Sequence, residues 1–108
     1  MNILSDVSVM KDLADKAGSY YGDKYLEAEL GSKDRAWFGF KMHQANAVFW
    51  ALAGKERNEQ ARSSLYAGDD AVSKAERAAV RADAKLYQAR AKDYYAKAEA
   101  KRAKWRSL

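Results

Sequence analysis

Residues 70–108 decide the fold, and they read DAVSKAERAAVRADAKLYQARAKDYYAKAEAKRAKWRSL. This stretch contains neither Gly nor Pro and is rich in Ala, Lys and Arg, which favour helix. Alanine recurs at every seventh position and forms what we call the alanine stripe: Ala75, Ala82, Ala89, Ala96 and Ala103. A second series runs beside it, interrupted by Asp93: Val72, Ala79, Leu86 and Ala100. The combined spacing of 3 and 4 predicts one long helix whose alanine stripe packs along another helix.

The same helix carries another row of residues, which we call the aromatic stripe: Val80, Ala84, Tyr87, Ala91, Tyr94, Ala98, Lys101 and Trp105. At 100° per residue this stripe lies well round the helix from the alanine stripe. A helix with two such stripes is expected to touch two neighbours. These are the preceding helix and either the N-terminal helix or another copy of the chain.

Gly68-Asp69-Asp70 is the clearest turn signal in the chain, because Gly fits the position after a helix and Asp fits an N-cap. The segments on either side, 33–67 and 71–106, are nearly equal in length. They predict an antiparallel helical hairpin with arms of roughly 50 Å. The expected fold is therefore all-α: a small helical bundle built on this hairpin, with a packed N-terminal helical segment at 2–30, in a single domain of residues 1–108.

In the N-terminal segment, apolar residues at helical spacing predict one buried face: Ile3, Val7, Met10, Ala14, Ala17 and Tyr21. Asn2 or Ser5 is expected to cap this helix. Gly18 and Gly22 are expected to end or bend it, leaving a second short segment at 23–30. Gly31 and Ser32 then suit a helix end and the N-cap of the next helix.

Residues 36–53 form the most hydrophobic part of the chain, and Lys41 is the one charged residue among them at neutral pH. A helix that is apolar over most of its circumference is usually buried by several neighbours, so this stretch is predicted to be the central core helix. An oligomer interface and a membrane-inserting segment are the alternatives. The polar residues Lys41, His43, Gln44 and Asn46 argue against membrane insertion. The aromatic side chains of Trp37, Phe40 and Trp50 favour self-association.

The net charge of +5 is unevenly distributed. Residues 1–54 contain six Lys or Arg and seven Asp or Glu, whereas residues 55–108 contain fourteen and eight. The last 24 residues alone carry eight basic and two acidic side chains. This asymmetry indicates an acidic protein surface, nucleic acid or an anionic membrane as partner, or a solvated helix end whose cations favour the helix dipole.

Catalytic and ligand-binding motifs do not emerge from the sequence. The chain has no Cys, which excludes disulfides and thiolate chemistry, and its one histidine, His43, has no partner at a recognisable spacing. The six Gly residues are dispersed and do not form a phosphate loop, and no Glu-x-x-His metal motif is present. We therefore expect no enzyme activity, no cofactor and no metal.

The leading hypothesis is a non-enzymatic protein–protein interaction module: an assembly subunit, adaptor or inhibitor with a basic C-terminal helix. Its partner would be a protein with an acidic surface or a second copy. Nucleic-acid binding through the basic helix is the alternative, and membrane interaction through 36–53 is less favoured. A cytoplasmic location is expected, because no signal peptide, Cys or transmembrane run is evident. The predicted partner-binding residues are Trp37, Phe40, Trp50, Tyr94, Tyr95, Lys101, Arg102 and Trp105.

Overall fold

The computed structural model describes residues 3–62 and 68–108 of the chain, with the side chains of residues 3–5 left out of the description. These residues form three α-helices: α1 (Ile3–Glu27), α2 (Lys33–Ala61) and α3 (Ala71–Ser107). The described part of the chain contains no strand. The predicted all-α fold with a long helical hairpin is confirmed. The 57 Å long dimension of the molecule matches the length expected for the 37 residues of α3.

The helix ends follow the predicted local signals closely. Gly31 adopts φ +76°, the left-handed conformation that favours Gly after a helix. The Ser32 hydroxyl then accepts a hydrogen bond from the Arg35 amide and caps α2, and Asp70 caps α3 in the same way through Ser73. The hairpin arms are less equal than predicted, because α2 ends at Ala61 with Arg62 as its C-cap. Residues 63–67, predicted to be helical, lie outside the described residues.

In α1, the prediction of a break near Gly18 and Gly22 is wrong, because the helix runs unbroken from Ile3 to Glu27. The predicted short segment at 23–30 is largely its last turn. Gly18 instead allows α1 to lie close to α2, since a Cβ atom there would stand 2.8 Å from the Asn46 Oδ1 atom. Gly54 is accommodated inside α2.

The three helices pack in chain order, α1 on α2 and α2 on α3. The central position predicted for residues 36–53 is therefore confirmed. The residues that are buried in the core are small: Val7, Ala14, Ala36, Ala47, Ala53, Ala61, Ala84, Ala91 and Ala98. No large side chain of the described residues is fully buried. The large side chains of α2 are half-buried and surround this narrow alanine-rich centre.

The prediction that the alanine stripe packs against the other arm of the hairpin is wrong. Each of its five alanines is exposed, and so are Val72 and Leu86 of the series beside it. α3 turns its aromatic stripe to α2 instead, with Ala84, Ala91 and Ala98 buried at seven-residue intervals. The physical reason is the amount of apolar surface that each orientation of α3 buries, because Tyr and Trp rings remove far more apolar surface from water than methyl groups do. Buried alanines between those rings still permit a close helix contact.

Within residues 3–62 and 68–108, no helix has the length and apolar character needed to cross a membrane.

Candidate functional site: an apolar groove along α2

A groove along α2 results from where its two neighbours pack. α1 lies against the side of α2 that carries Met42 and Asn46, which stand close to Gly22 and Gly18. α3 lies against the side that carries Gly54, where a Cβ atom would stand 3.2 Å from the Ala84 carbonyl oxygen. The helical positions between these two contacts leave one broad face of α2 uncovered. That face is the floor of the groove, and α1 and α3 are its walls.

The groove encloses about 420 Å³ and is lined mainly by apolar side chains from all three helices. α1 contributes one wall, with Met10, Leu13, Ala14, Ala17 and Tyr21. The floor consists of α2 residues: Lys41, Gln44, Ala45, Val48 and Leu52. On the other wall stands Tyr95 of α3. We call this set of residues the α2 groove.

Large apolar side chains on the walls of the groove are open to solvent. Met10 is 53% exposed, Leu13 61% and Tyr95 45%. Val9 and Tyr20 extend the apolar surface along the outer side of α1 and are also exposed. Contiguous exposed apolar surface of this kind, in a cleft and rimmed by polar residues, is typical of binding sites.

Lys41 is the charged residue on the groove floor. Its Nζ atom lies 5.7–5.8 Å from the ring centroids of Tyr21, Trp37 and Phe40, and it donates a 3.2 Å hydrogen bond to the Gln44 Oε1 atom. No carboxylate of the described residues forms an ion pair with it. A half-buried ammonium group without a carboxylate partner is chemically able to form a charge-assisted hydrogen bond to an acidic group.

Most of the aromatic residues predicted to bind a partner instead join the two arms of the hairpin. The Trp37 and Trp105 ring centroids are 5.1 Å apart, and Phe40 lies 5.5 Å from Trp37. Trp50 packs on Tyr87 of α3 at 5.2 Å. All of these rings are half-buried, so Trp37, Phe40 and Trp50 pack largely against other residues of the same chain.

The remaining predicted residues fall in different places. Tyr94 stacks on His43 with 6.1 Å between ring centroids, and Arg102 pairs with Glu99 at 3.6 Å. Lys101 donates a hydrogen bond of 3.4 Å to the Tyr25 hydroxyl, at the opposite side of α2 from the groove. Of the eight predicted residues, Tyr95 is the one that lines the α2 groove.

The α1 wall is an exposed apolar surface that the sequence pattern did not predict. The helical spacing predicts Met10 on the buried face of α1, which is wrong because Met10 is 53% exposed, and it leaves Leu13 outside that face. A signal is present in the sequence, however: Val9, Leu13 and Tyr20 lie beside the predicted face of α1 and widen it well beyond what one neighbouring helix covers. An apolar arc this wide on a helix with a single packing partner predicts an open surface.

His43 lies in the hairpin rather than in the groove. Burial, and then the charges of Lys97 and Lys101, lower its pKa below the ordinary value of 6.5. Its Nδ1 atom is buried and has no hydrogen-bond partner among the described residues. The lowered pKa favours the neutral imidazole at neutral pH.

Among the described residues, no group of three or more His, Asp or Glu side chains is placed to hold a metal ion. Comparison with known proteins adds no relative: no protein-family model, no curated protein and no solved structure matches this chain. What the protein does must therefore be inferred from the geometry of the α2 groove.

Proposed function

We propose that this protein is a non-enzymatic protein-interaction module that binds a short amphipathic helix of an acidic partner in the α2 groove. The observation that carries this proposal is Lys41, an ammonium group without a carboxylate partner among the described residues, on the floor of an otherwise apolar groove. The apolar walls supply binding energy, and the cation supplies a preference for acidic ligands.

The dimensions of the groove suit a helix. Its floor extends from Lys41 to Leu52, and the α1 wall from Met10 to Tyr21. Each spans eleven residue steps, or roughly 17 Å along a helix axis, which is about three turns. A ligand helix in the groove would lie on α2 and contact the lining residues of α1 and α3.

The charges around the groove favour an acidic ligand. Lys55 follows Leu52 by three residues on α2, and Lys92 precedes Tyr95 by three on α3, so helical spacing leads us to expect both near the rim. Both are exposed. α3 as a whole carries eleven Lys or Arg and four Asp or Glu. A ligand helix with an apolar stripe and a flank of Glu or Asp would match this pattern.

A titration with designed peptides tests the proposal. We would measure the fluorescence anisotropy of a labelled helical peptide of about four turns with Leu along one face and Glu along one flank. A second peptide carries Lys in place of each Glu. We expect saturable binding of the Glu peptide and markedly weaker binding of the Lys peptide, with the preference reversed in Lys41→Glu.

Matched variants locate the binding surface. The double variant Leu13→Gln/Tyr95→Gln should weaken binding of the Glu peptide by about tenfold or more, because each substitution removes apolar surface from a wall of the groove. The control Leu26→Gln/Leu30→Gln changes residues that are 73% and 81% exposed and lie outside the groove, and it should leave the affinity unchanged. Equal effects of the two double variants would refute the groove as the binding site.

Sedimentation and a titration with duplex DNA test the two alternative partners, a second copy of the chain and nucleic acid. If the wild-type protein is a dimer and Leu13→Gln/Tyr95→Gln dissociates it, the groove binds a second copy of the chain. That result would overturn the proposal that the groove binds a helix of another protein. Tight duplex binding at 150 mM salt, with an affinity that falls steeply as salt rises, would overturn the protein partner in favour of nucleic acid. The cations of α3 point to several sides of the helix, and this arrangement does not favour a single phosphate backbone.

A further inference from the structure

We propose that a second, polar pocket, on the side of the molecule away from the α2 groove, binds a phosphate group, either as inorganic phosphate or as a small phosphomonoester. Three cations line this pocket together with a tyrosine: Arg35, Lys101, Lys104 and Tyr25. We call it the cation pocket. None of its lining residues lines the α2 groove, so the two sites are independent.

Each helix contributes to the cation pocket. Tyr25 comes from the last turns of α1, Arg35 from the first turn of α2, and Lys101 and Lys104 from successive turns of α3. The pocket holds about 190 Å³, and Gly31 and Ser32 of the α1–α2 turn complete its wall with Leu30 and Ala36. No Asp or Glu is among its lining residues.

Arg35 and Lys101 are held in place by contacts that leave their charge uncompensated, whereas Lys104 is exposed at the pocket. The Arg35 guanidinium donates hydrogen bonds to the carbonyl oxygens of Tyr25 and Ala28, at 3.0 and 3.2 Å, and lies 4.1 Å from the Tyr25 ring centroid. Lys101 donates to the Tyr25 hydroxyl and lies 5.3 Å from the same ring. Among the described residues, none of the three cations forms an ion pair with a carboxylate.

Gly39 allows two of these groups to reach the pocket. A Cβ atom at this position would stand 3.1 Å from Tyr25 Cε2 and 3.2 Å from Lys101 Cδ. The absence of a side chain therefore lets Tyr25 and Lys101 lie directly against α2. This close packing fixes Tyr25 and Lys101 in position without a bound ligand.

Like charges that converge in a half-enclosed pocket repel one another, and a bound anion relieves this repulsion. The local potential is visible at Tyr25. Burial acts to raise the pKa of its hydroxyl, but hydrogen bonds and charges from Lys101 and Arg35 outweigh burial and bring the pKa below the ordinary value of 10.0. The pocket therefore favours negative charge at the position of that hydroxyl.

The donor set suits phosphate better than a single carboxylate. Arg35 of α2 and Lys101 and Lys104 of α3 offer cationic N–H groups, and the Tyr25 hydroxyl offers an O–H donor. A doubly charged tetrahedral oxyanion presents oxygens in several directions and neutralises more than one cation. The site would also tie α1 to α3 through the ligand.

Calorimetric titration of the full chain with inorganic phosphate at constant ionic strength tests the proposal. We expect saturable binding that sulfate competes for and chloride does not. In Lys101→Gln/Lys104→Gln the affinity should fall by about tenfold or more for each charge-assisted hydrogen bond to phosphate that the substitution removes. The control Lys74→Gln/Lys85→Gln removes the same charge from α3 outside both the cation pocket and the α2 groove, and it should retain binding.

A spectroscopic readout separates binding in the pocket from general salt effects. Bound phosphate should raise the pH at which Tyr25 ionises, measured as the tyrosinate absorbance difference between the wild-type protein and Tyr25→Phe. Titration with phenyl phosphate distinguishes the two sources of the group: competition with inorganic phosphate at similar affinity means that the pocket accepts an ester, and failure to compete means that free phosphate alone fits.

Unsaturable heat, or equal affinity in the Lys101→Gln/Lys104→Gln and Lys74→Gln/Lys85→Gln variants, would overturn the proposal. A binding isotherm unaccompanied by a shift in Tyr25 ionisation would also overturn it, because the phosphate would then lie elsewhere. Both results are independent of peptide binding in the α2 groove.

Discussion

Gly54 and Gly22 are both helical glycines, and replacing each with alanine should change stability in opposite directions. A Cβ atom at Gly22 would stand 3.6 Å from Met42 Sδ, which is ordinary van der Waals contact. At Gly54 it would stand 3.0 Å from Gln88 Cγ and 3.2 Å from the Ala84 carbonyl oxygen. The first neighbour is a flexible side chain, but the second is the backbone of α3 and moves only if the helix moves.

The expected magnitudes follow from helix propensity and packing. Alanine in a helix interior is favoured over glycine by about 1 kcal/mol, so Gly22→Ala should raise the free energy of unfolding by about 0.5–1 kcal/mol. Gly54→Ala receives the same gain but must separate α2 from α3, and overpacking of this kind costs about 1–3 kcal/mol. The net result at Gly54 should be a loss of roughly 1 kcal/mol, and the two variants should differ by about 2 kcal/mol.

Urea denaturation followed by circular dichroism measures both variants under the same conditions. An unchanged slope with a shifted midpoint attributes the difference to native stability rather than to the denatured state. If Gly54→Ala stabilised the protein as much as Gly22→Ala does, α2 and α3 would not approach each other closely at Gly54, and the packing described for the hairpin would be wrong.

Three further predictions concern α3, the α2 cap and His43. Ala84→Leu should lower the free energy of unfolding by about 1–3 kcal/mol because Ala84 is buried against α2, whereas Ala82→Leu on the exposed alanine stripe should change it by under about 0.5 kcal/mol in the same urea measurement. Ser32→Ala removes the 3.1 Å cap of the Arg35 amide and should cost about 1 kcal/mol, with exposed Ser19→Ala as a near-neutral control in thermal denaturation. The pKa of His43 is lowered in the folded state, so its neutral form stabilises the fold. This contribution to the free energy of unfolding is fully present above the unfolded-state pKa of about 6.5, and it is lost as the pH falls towards the lower pKa of the folded state. His43→Gln should abolish this part of the pH dependence, and a pH–stability curve identical to that of the wild-type protein would contradict it.

Local signals in the sequence predict the elements of this fold well. The Gly31–Ser32 pair and Asp70 mark helix ends by chemistry that acts within a few residues, and the structure places caps at those positions. The amphipathic patterns of α2 and α3 likewise depend on spacing along one helix. These features require no knowledge of what lies across the molecule.

The orientation of α3 is harder to predict because the helix carries two alanine series at seven-residue spacing. Ala75–Ala103 and Ala84–Ala98 are equally compatible with a close helix contact. The choice depends on whether the neighbouring rings of Tyr87, Tyr94 and Trp105 can interleave with those of α2, a property of both surfaces together. The alanine pattern alone cannot decide between the two faces.

For a related reason, the residue pattern of a single helix cannot predict the α2 groove. It arises from the angle between the two sides of α2 that α1 and α3 occupy. That angle depends on close contacts at Gly18 and Gly54, where missing side chains set how and where the helices approach. In the sequence, Gly18 and Gly22 resemble the ends or bends of a helix. Their role in helix packing can be recognised only when the residue that each one faces on α2 is known.

The packing of the helices in chain order has a consequence for cooperativity. In a compact bundle every helix touches most others, so the loss of one element weakens the whole structure and unfolding is concerted. Here α1 shares its main interface with α2 alone, and its detachment leaves the hairpin interface between α2 and α3 in place. Such nearest-neighbour arrangements behave like short repeat proteins, in which terminal units open at lower free energy than the centre. Amide hydrogens of α1 should therefore exchange with solvent before those of α2, and a ligand that bridges α1 and α3 would slow that exchange and convert a sequence of partial openings into a single concerted event.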